Sequence, residues 1–370
     1  MADRYETVWP LQAHTKAKHE ILKRYLNGWY PVLSKYNGRI IFLDGFAGPG
    51  IYKGGEPGSP TVAINTLLDH NYELERNNCE FLLVFNEQED KRYEVLKEIV
   101  NELKKENWPS HVKVEVLKKN FQDMAQELVS TLAEQKAKLA PTLAFLDPFG
   151  YKDTPIELIC QLLSFDKCEL LIYFDYNSVN RFGTAGNVDH LMEPLFGTDE
   201  FKNAPPAGNP GRGPFFVDLY ERQLRDLCNF KYVQRFEMIN EDGRTPYYLF
   251  YCTRNIKGLE IMKDAMWAVD PTGSYQFSDK LSGQSILFQD NPDTQPLRRA
   301  LLAQFAGQTV PVSTLEEFTL VRTPYKKTHL KRQTLAGMQR DGVITSPNQR
   351  KRNTFPEGTL IEFPPSPEQL

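Results

Sequence analysis

Cysteine is scarce and unpatterned in this 370-residue chain: Cys79, Cys160, Cys168, Cys228 and Cys252 are scattered, odd in number and never spaced as Cys-x-x-Cys. Such spacing supports neither a disulfide framework nor a zinc site, and three of the five lie in apolar, core-like stretches. Histidine is equally thin. His14, His19, His70, His111, His190 and His329 are dispersed and form no metal constellation, so no metal is expected. No apolar run approaches the roughly 20 residues of a membrane span. Residues 1–18 are polar and charged and lack the apolar core of a signal peptide, so a cytoplasmic protein without membrane contact is expected. There is no excess of positive charge either, since the formal net charge is -4. The chain as a whole is therefore not a basic nucleic-acid coat, and any nucleic-acid surface must be local. What remains is an ordinary globular composition, 41% apolar and 25% charged, at a length that suits two domains.

Against that background the segment from Arg39 to Gly50 stands out. Ile40 to Leu43 is an apolar run, as a parallel strand covered on both faces requires. It ends on Asp44 and opens directly into Gly45-Phe46-Ala47-Gly48-Pro49-Gly50. Ligands of open α/β sheets bind where such strands end, and glycines there let the backbone approach a cofactor without interference from Cβ. The form Asp-x-Phe-Ala-Gly-x-Gly resembles the S-adenosylmethionine (SAM) loop of methyltransferases. It lacks the Gly-x-Gly-x-x-Gly pattern, and no catalytic Lys/Tyr or His arrangement stands out, which disfavours an NAD-dependent dehydrogenase.

Residues 12–36 read as a helix with Ile21, Leu22, Tyr25, Leu26, Trp29 and Leu33 on one face. Strands are expected at 39–44, 81–85, 112–117, 143–146 and 169–174, with helices at 59–69, 89–106, 121–138 and 155–164 between them. Ser59 is read as a helix cap and Pro60 as the first helical position. This alternation implies a mostly parallel sheet with right-handed crossovers. Residues 185–213, rich in Gly, Pro and Asn, read as a long surface excursion. A helix at 214–228 then leads to a hairpin of strands 231–239 and 246–254, turned at Asp242-Gly243, and to a helix at 256–268. A hairpin after five βα units fits the methyltransferase variant of the Rossmann-like sheet. Beyond residue 295 three short helices, 297–305, 312–321 and 328–340, precede Val343-Ile344 and Leu360-Ile361, which flank a basic loop. The expected fold class is α/β: a Rossmann-like SAM-dependent methyltransferase domain over 1–290 and a C-terminal winged helix over 295–365.

Four strand ends carry polar side chains, Asp44, Glu87, Asn120 and Asp147, and in this architecture they converge on one edge of the sheet. The Gly48-Pro49-Gly50 turn would pass beneath the methionine moiety of SAM. Glu87 would accept hydrogen bonds from the ribose hydroxyls, and Asn120 and Phe121 would meet the adenine. Glu87 lies far beyond the usual distance of about 20 residues from the glycine turn, which calls for a lengthened first crossover. The helix start at Gly58-Ser59-Pro60 could aim backbone N–H groups at the SAM carboxylate.

Asp44 to Tyr52 and the following Pro57-Gly58-Ser59-Pro60 are similar to the large-subunit ribosomal RNA adenine-N6 methyltransferases, which carry an Asp-x-x-Ala-Gly-x-Gly-x-Tyr loop, a nearby Pro-Gly-Ser-Pro and a later Asp-Pro-Pro-Tyr. That resemblance also extends to Lys16-Ala17-Lys18-His19 and implies Lys18 and His19 as cofactor-binding residues. Over nearly the whole chain the sequence resembles the three-Cys-motif partner protein family. The match runs through Tyr25-Leu26, Trp29, the Phe-Ala-Gly-Pro-Gly loop, Leu146 to Gly150, Gly258-Leu259 and Met262 to Trp267. It implies a methyltransferase-like domain, a C-terminal winged helix, and a radical-SAM-like three-Cys-motif protein as partner.

In amino methyltransferases an Asp/Asn-Pro-Pro-aromatic stretch accepts hydrogen bonds from an exocyclic amine and stacks on an extruded base. Here it reads Asp147-Pro148-Phe149-Gly150, with Tyr151 following. Asp147 and the Pro148 carbonyl would receive the amine, and Phe149 or Tyr151 would stack. Beyond strand 5, Tyr176, Asn177 and Arg181 are candidates for a base and a phosphate. Lys263 with Met266-Trp267 reads as core packing on the last helix. In the terminal domain Lys327, Lys331, Arg332, Arg350, Lys351 and Arg352 load the third helix and the wing, the elements of a winged helix that reach a groove and its phosphates. The expected function is SAM-dependent methylation of an amino group, adenine N6 in DNA or RNA. The alternative is a non-catalytic partner that docks a radical-SAM-like protein onto nucleic acid.

Overall fold

The structure, a computed structural model, describes residues 7–70, 78–104, 108–240, 242–270, 276–278 and 292–365. They fall into two compact units: the chain leaves the first within the helix Ile256–Val269, between Ala265 and Met266, and returns to it at Phe277 and Ser278 before the rest of the second. Part of the expected 290–295 boundary, with residues 279–291, lies outside the described residues.

The first unit is built on one sheet. β1 (Arg39–Asp44), β2 (Glu80–Asn86), β3 (Val112–Leu117), β4 (Thr142–Leu146) and β5 (Cys168–Phe174) are joined by parallel pairing. β7 (Tyr247–Thr253) runs antiparallel between β5 and β6 (Tyr232–Ile239). With the short β8 (Gln276–Ser278) the order is β3-β2-β1-β4-β5-β7-β6-β8. This is a Rossmann-like sheet with the hairpin that methyltransferase sheets carry, as the sequence led one to expect. Every residue of β4 and all but one of β5 are buried, as central parallel strands demand. The strand order reverses between β1 and β4, which are direct neighbours with Asp44 opposite Phe145. A cleft opens at such a reversal. Asp44 also faces Phe85 of β2, so the ends of three adjacent strands, at Asp44, Glu87 and Asp147, are brought to one edge by register alone. The β3 edge is closed by side chains, Lys104 Nζ and Trp108 Nε1 donating to the carbonyls of Val114 and Val112 at 3.2 and 2.8 Å.

α1 (Ala13–Ser34) buries Lys18, Ile21, Leu22, Tyr25, Leu26, Trp29 and Tyr30 along one face and packs on α2 (Ser59–Asp69). Its register is set by Glu169 at the start of β5. That buried carboxylate accepts from the hydroxyls of Tyr25 at 2.5 Å, Thr253 at 2.7 Å and Tyr251 at 3.0 Å. Burial raises its pKa and the donors oppose the rise. Lys18 stands two turns before Tyr25 on the same face, so a network at one end of the sheet delivers a lysine to the other.

Four expectations change. Residues 185–213 are not a surface excursion. They contain a helix, Asp189–Phe196, and a 3-10 turn, Glu200–Asn203, whose Met192, Leu195, Phe196 and Phe201 are buried in the core. Those apolar positions have helical spacing, and Gly197, in the left-handed region at φ 63°, ends the helix. Ser59 does not cap α2; Gly58 holds that position. Cys160 and Cys228 form a disulfide (S–S 2.01 Å), while Cys79, Cys168 and Cys252 are free and buried. Cys160 on the helix Ile156–Leu162 and Cys228 in the turn after the helix Arg212–Asp226 are 68 residues apart, and the fold alone brings them together, which no local spacing could reveal. Disulfides are rare in reducing compartments, so the bridge and the expected cytoplasmic location pull in opposite directions.

The fourth change is in the second unit. Its helices are Gln295–Phe305, Val312–Arg322 and a third that begins with π geometry over His329–Leu335 and continues as α-helix through Ala336–Arg340. The wing strand β10 (Leu360–Glu362) pairs antiparallel with β9 (Thr309–Pro311), not with Val343-Ile344. Thr345 meets Glu362 through an isolated bridge and donates its hydroxyl to Glu362 Oε2 at 2.6 Å. Three residues ahead of a helix are too few to show a period of two, so β9 left no mark in the sequence.

Candidate active site

At the strand reversal lies a cleft of about 380 Å³ lined by, among others, Lys18, His19, Phe46 to Tyr52, Gly58, Ser59 and Asp147 to Gly150. A smaller depression beside it is lined by Gly45, Phe46, Asn86, Glu87, Gln88, Arg92, Lys119, Phe121 and Phe149. The structure therefore gathers the glycine turn, Ser59, Lys18, His19 and Asp147-Pro148-Phe149 around one space, with Glu87 and Phe121 around its neighbour. Asp44 lies beneath them, wholly buried.

The floor is shaped by glycine. Residues 51–57 fold back on themselves through an Ile51–Pro57 bridge, so that Gly58 N–H donates to the Gly50 carbonyl at 2.9 Å. A Cβ on Gly58 would stand 2.8 Å from the Gly50 carbonyl carbon. This hairpin is the lengthened first crossover, and it returns the chain to the cleft to start α2. Gly48 and Gly50 occupy the left-handed region at φ 61° and 77°, and a Cβ on Gly48 would meet nothing within 4 Å. It would project into open space.

Asp44 Oδ1 accepts from Phe46 N–H at 3.2 Å, while Oδ2 is buried without a hydrogen-bond partner. Burial pushes this carboxyl up to about 7; Ser59 and Phe46 oppose the rise, and the charges of Asp147 and Glu87 add to it. Burial also raises Glu87, against the pull of the Glu89 N–H, Arg92 and the Gly48 N–H. Its Oε1 accepts from Glu89 N–H at 2.8 Å. His19 is pushed down to about 4, by burial first and then by the adjoining Lys18 charge, so its ring is neutral at neutral pH.

Lys18 Nζ donates to Asp147 Oδ2 at 2.5 Å and lies 5.1 and 5.4 Å from the ring centroids of Tyr173 and Tyr247. The Asp147 loop turns sharply, with Gly150 N–H donating to the Pro148 carbonyl at 3.0 Å and Gly150 at φ 104°. That turn throws Phe149 outward, leaving it 62% exposed at the rim. Trp9 meets it edge-on with ring centroids 5.9 Å apart.

Other expected residues stand elsewhere. Asn120 is exposed and its side chain caps the helix Phe121–Glu134, accepting from Gln122 N–H at 2.8 Å. Tyr151 packs half-buried against the core. Tyr176 packs at Gly213 and against Tyr248, 5.5 Å between ring centroids, Asn177 N–H donates to the Pro246 carbonyl, and Arg181 is exposed beside Phe182. None of these lines either cavity. Trp9, Arg92, Tyr173 and Tyr247 were missed by sequence reasoning. None of the four carried a local signal; Tyr173 is distinguished only in the fold, as the one half-buried residue of an otherwise buried strand.

In the second unit the basic loop after residue 345 is internally tied. Gln339 Nε2 donates to Gln349 Oε1 at 2.6 Å, Asn353 N–H donates to Gln339 Oε1 at 2.8 Å, and Asn348 bridges the Gly358 carbonyl and the Leu360 N–H. These amides hold exposed Arg350, Lys351 and Arg352 against the end of the third helix. On that helix Arg332 is exposed and Lys331 pairs with Glu316 at 2.8 Å; Lys327, half-buried, precedes it.

Comparison with known proteins gives matches among solved structures and to a family model. No curated protein matches this sequence. A solved structure described as "Putative methyltransferase yhhF from Escherichia coli" aligns over 63% of this chain and 86% of its own, at 13% identity and a TM-score of 0.27, too low to carry weight. A family model described as a GMT-like wHTH domain matches residues 274–350, and the C-terminal part of the chain is a winged helix-turn-helix domain.

Proposed function

We propose that the first unit is a SAM-dependent methyltransferase acting on an exocyclic amino group of nucleic acid, adenine N6 by preference. The observation that carries the cofactor is Asp44: a buried carboxylate oxygen without a partner, beside a glycine turn whose Cβ positions are open or forbidden. Such an orphan is costly when charged unless it meets a donor, and a cationic ligand group would supply one. Asp44 would hold the ammonium of the methionine moiety. The α2 N-terminus at Gly58-Ser59 would face its carboxylate, and Gly48 would lie beneath it. Glu87 would take the ribose hydroxyls, while Phe46 and Phe121, with ring centroids 5.2 Å apart, would flank the adenine. Bound there, SAM supplies an electrophilic methyl group.

The residues opposite orient the acceptor. Lys18 occupies Asp147 Oδ2 and leaves Oδ1 to accept from the target NH2, which keeps the nitrogen lone pair free. The Pro148 carbonyl has a second lone pair for the other N–H. The winged helix, with Lys327, Lys331, Arg332, Arg350, Lys351 and Arg352, would bind the phosphates of DNA or RNA.

A second reading is a non-catalytic partner of a radical-SAM-like three-Cys-motif protein. It is favoured by the prior engagement of both amine acceptors, Asp147 with Lys18 and Pro148 with Gly150. One experiment separates the two. The purified chain is incubated with methyl-labelled SAM and mixed DNA and RNA, alone and with a three-Cys-motif protein. Label transferred by the chain alone, and lost in Asp147→Ala, supports the enzyme. Calorimetric SAM binding with no transfer under either condition would remove the enzyme and leave the partner.

A further inference from the structure

Arg92 stands at the start of a helix, Asp90–Leu103, whose N-cap is Glu89. Its guanidinium carbon lies 4.9 Å from the ring centroid of Trp9 and 5.0 Å from that of Phe149. The two rings meet edge-on. Trp9 is held from behind by its carbonyl, which accepts from Lys53 N–H at 3.0 Å, and by Tyr52, 6.1 Å between ring centroids. One arginine and two aromatic rings from three distant segments thus form a cluster at the rim, and Phe149 lines both cavities.

Phe149 is 62% exposed and presents a ring face at the mouth of both cavities, beside the Asp147 carboxylate. We propose that this cluster is the binding site for one extruded purine nucleotide, in which the base stacks on Phe149, while Trp9, perpendicular to that ring, closes the base's edge and Arg92 pairs with that nucleotide's phosphate. This rests on the methyltransferase reading above and adds Trp9 and Arg92 to it. The exchange is favourable on magnitudes. A base stacked on an aromatic ring gains roughly 5- to 150-fold in affinity, and an exposed cation–π contact is worth roughly 2- to 5-fold. A purine therefore displaces the guanidinium from the Phe149 face, and the guanidinium gains a charge-assisted fork to phosphate. The nearest established anchor for the guanidinium is weak, since its Nε is 3.8 Å from Glu89 Oε2.

The test uses the full chain saturated with S-adenosylhomocysteine, which closes the cofactor's own adenine pocket to the probe. The probe is a short single strand containing 2-aminopurine, titrated by fluorescence over a range of salt. Wild type is expected to quench the probe as the base stacks. Trp9→Ala should lose about tenfold in affinity with an unchanged salt slope. Arg92→Gln should lose affinity and flatten the slope of log affinity against log salt by about 0.7, one phosphate contact on a single strand. Arg92→Lys should restore the slope. Because Trp9 and Arg92 also border the cofactor space, each variant's S-adenosylhomocysteine affinity is measured first and the ligand raised to saturation, so that any loss of probe binding is read with the cofactor pocket filled. Variants that bind the probe as wild type does overturn it and leave the methyltransferase reading intact. A wild type that binds no probe overturns both.

Discussion

Replacing Asp44 with Asn separates what the carboxyl's charge does from what its shape does. In the free protein burial holds this group protonated until about pH 7, with Glu87 and Asp147 adding to the effect. A facing ammonium lowers a carboxyl pKa by about 1–3. Taking a fall of about two, to about 5, wild-type affinity for S-adenosylhomocysteine should be roughly 25-fold weaker at about pH 5 than at about pH 7, with about 0.8 proton released at about pH 6. At alkaline pH the ligand's own amine, that of a free amino acid and so more basic than a peptide terminus, loses its proton and affinity falls again. His19, held down at about 4, is silent through most of this window. Calorimetry in buffers of different ionisation enthalpy reads the released proton directly. Asp44→Asn keeps the acceptor for Phe46 N–H but should lose the pH dependence, along with roughly 10- to 150-fold of affinity at neutral pH. The control ligand, 5′-methylthioadenosine, lacks the amino-acid end and should show none of it. Buffer-independent heats in wild type, or an unaltered pH dependence in the Asn variant, would refute the assignment. The same raised pKa has a sign for stability. Asp44's contribution in the cofactor-free protein is fully present below its unfolded value of 3.8 and is lost as pH rises through about 7.

Gly58→Ala places a Cβ 2.8 Å from the Gly50 carbonyl carbon, so the turn must open; it should abolish cofactor binding and cost about 1–3 kcal/mol in urea unfolding. Gly48→Ala meets no atom within 4 Å, and its left-handed backbone costs about 1–2 kcal/mol. Its cofactor affinity should fall by more than its stability; wild-type affinity would show that this turn is not the cofactor's floor. Alanine at Arg350, Lys351 and Arg352 together should flatten the salt slope of duplex binding by about 2.7, three contacts at about 0.9 each. An unchanged slope would remove the wing from the interface. Reducing Cys160–Cys228, which spans 68 residues, should lower stability by up to about 4 kcal/mol on the chain-entropy account. A denaturation midpoint indifferent to reductant would mean that the thiols are not bridged.

The strand ends were legible because each joins two local signals. An apolar run names the strand, and the polar residue that stops it names the edge, as at Leu43-Asp44 and Leu146-Asp147. Asn120 shows where such a signal stops being informative. The same position that meets a ligand in one chain can cap a helix in another, and a side chain can do only one of these at a time. The buried helix within 185–213 was hidden by the Gly and Pro around it, although its own apolar spacing was helical.

The sequence by itself determined the order of strands and helices, the glycine turn after Asp44 and the local charge of the terminal domain, because each is written in neighbouring residues. The tertiary structure alone decided which of those residues share a space. Lys18 meets Asp147 across 129 residues, Trp9 and Arg92 meet Phe149, and Cys160 meets Cys228. Each of these contacts is set by strand order, register and helix packing, and no window along the chain contains both partners.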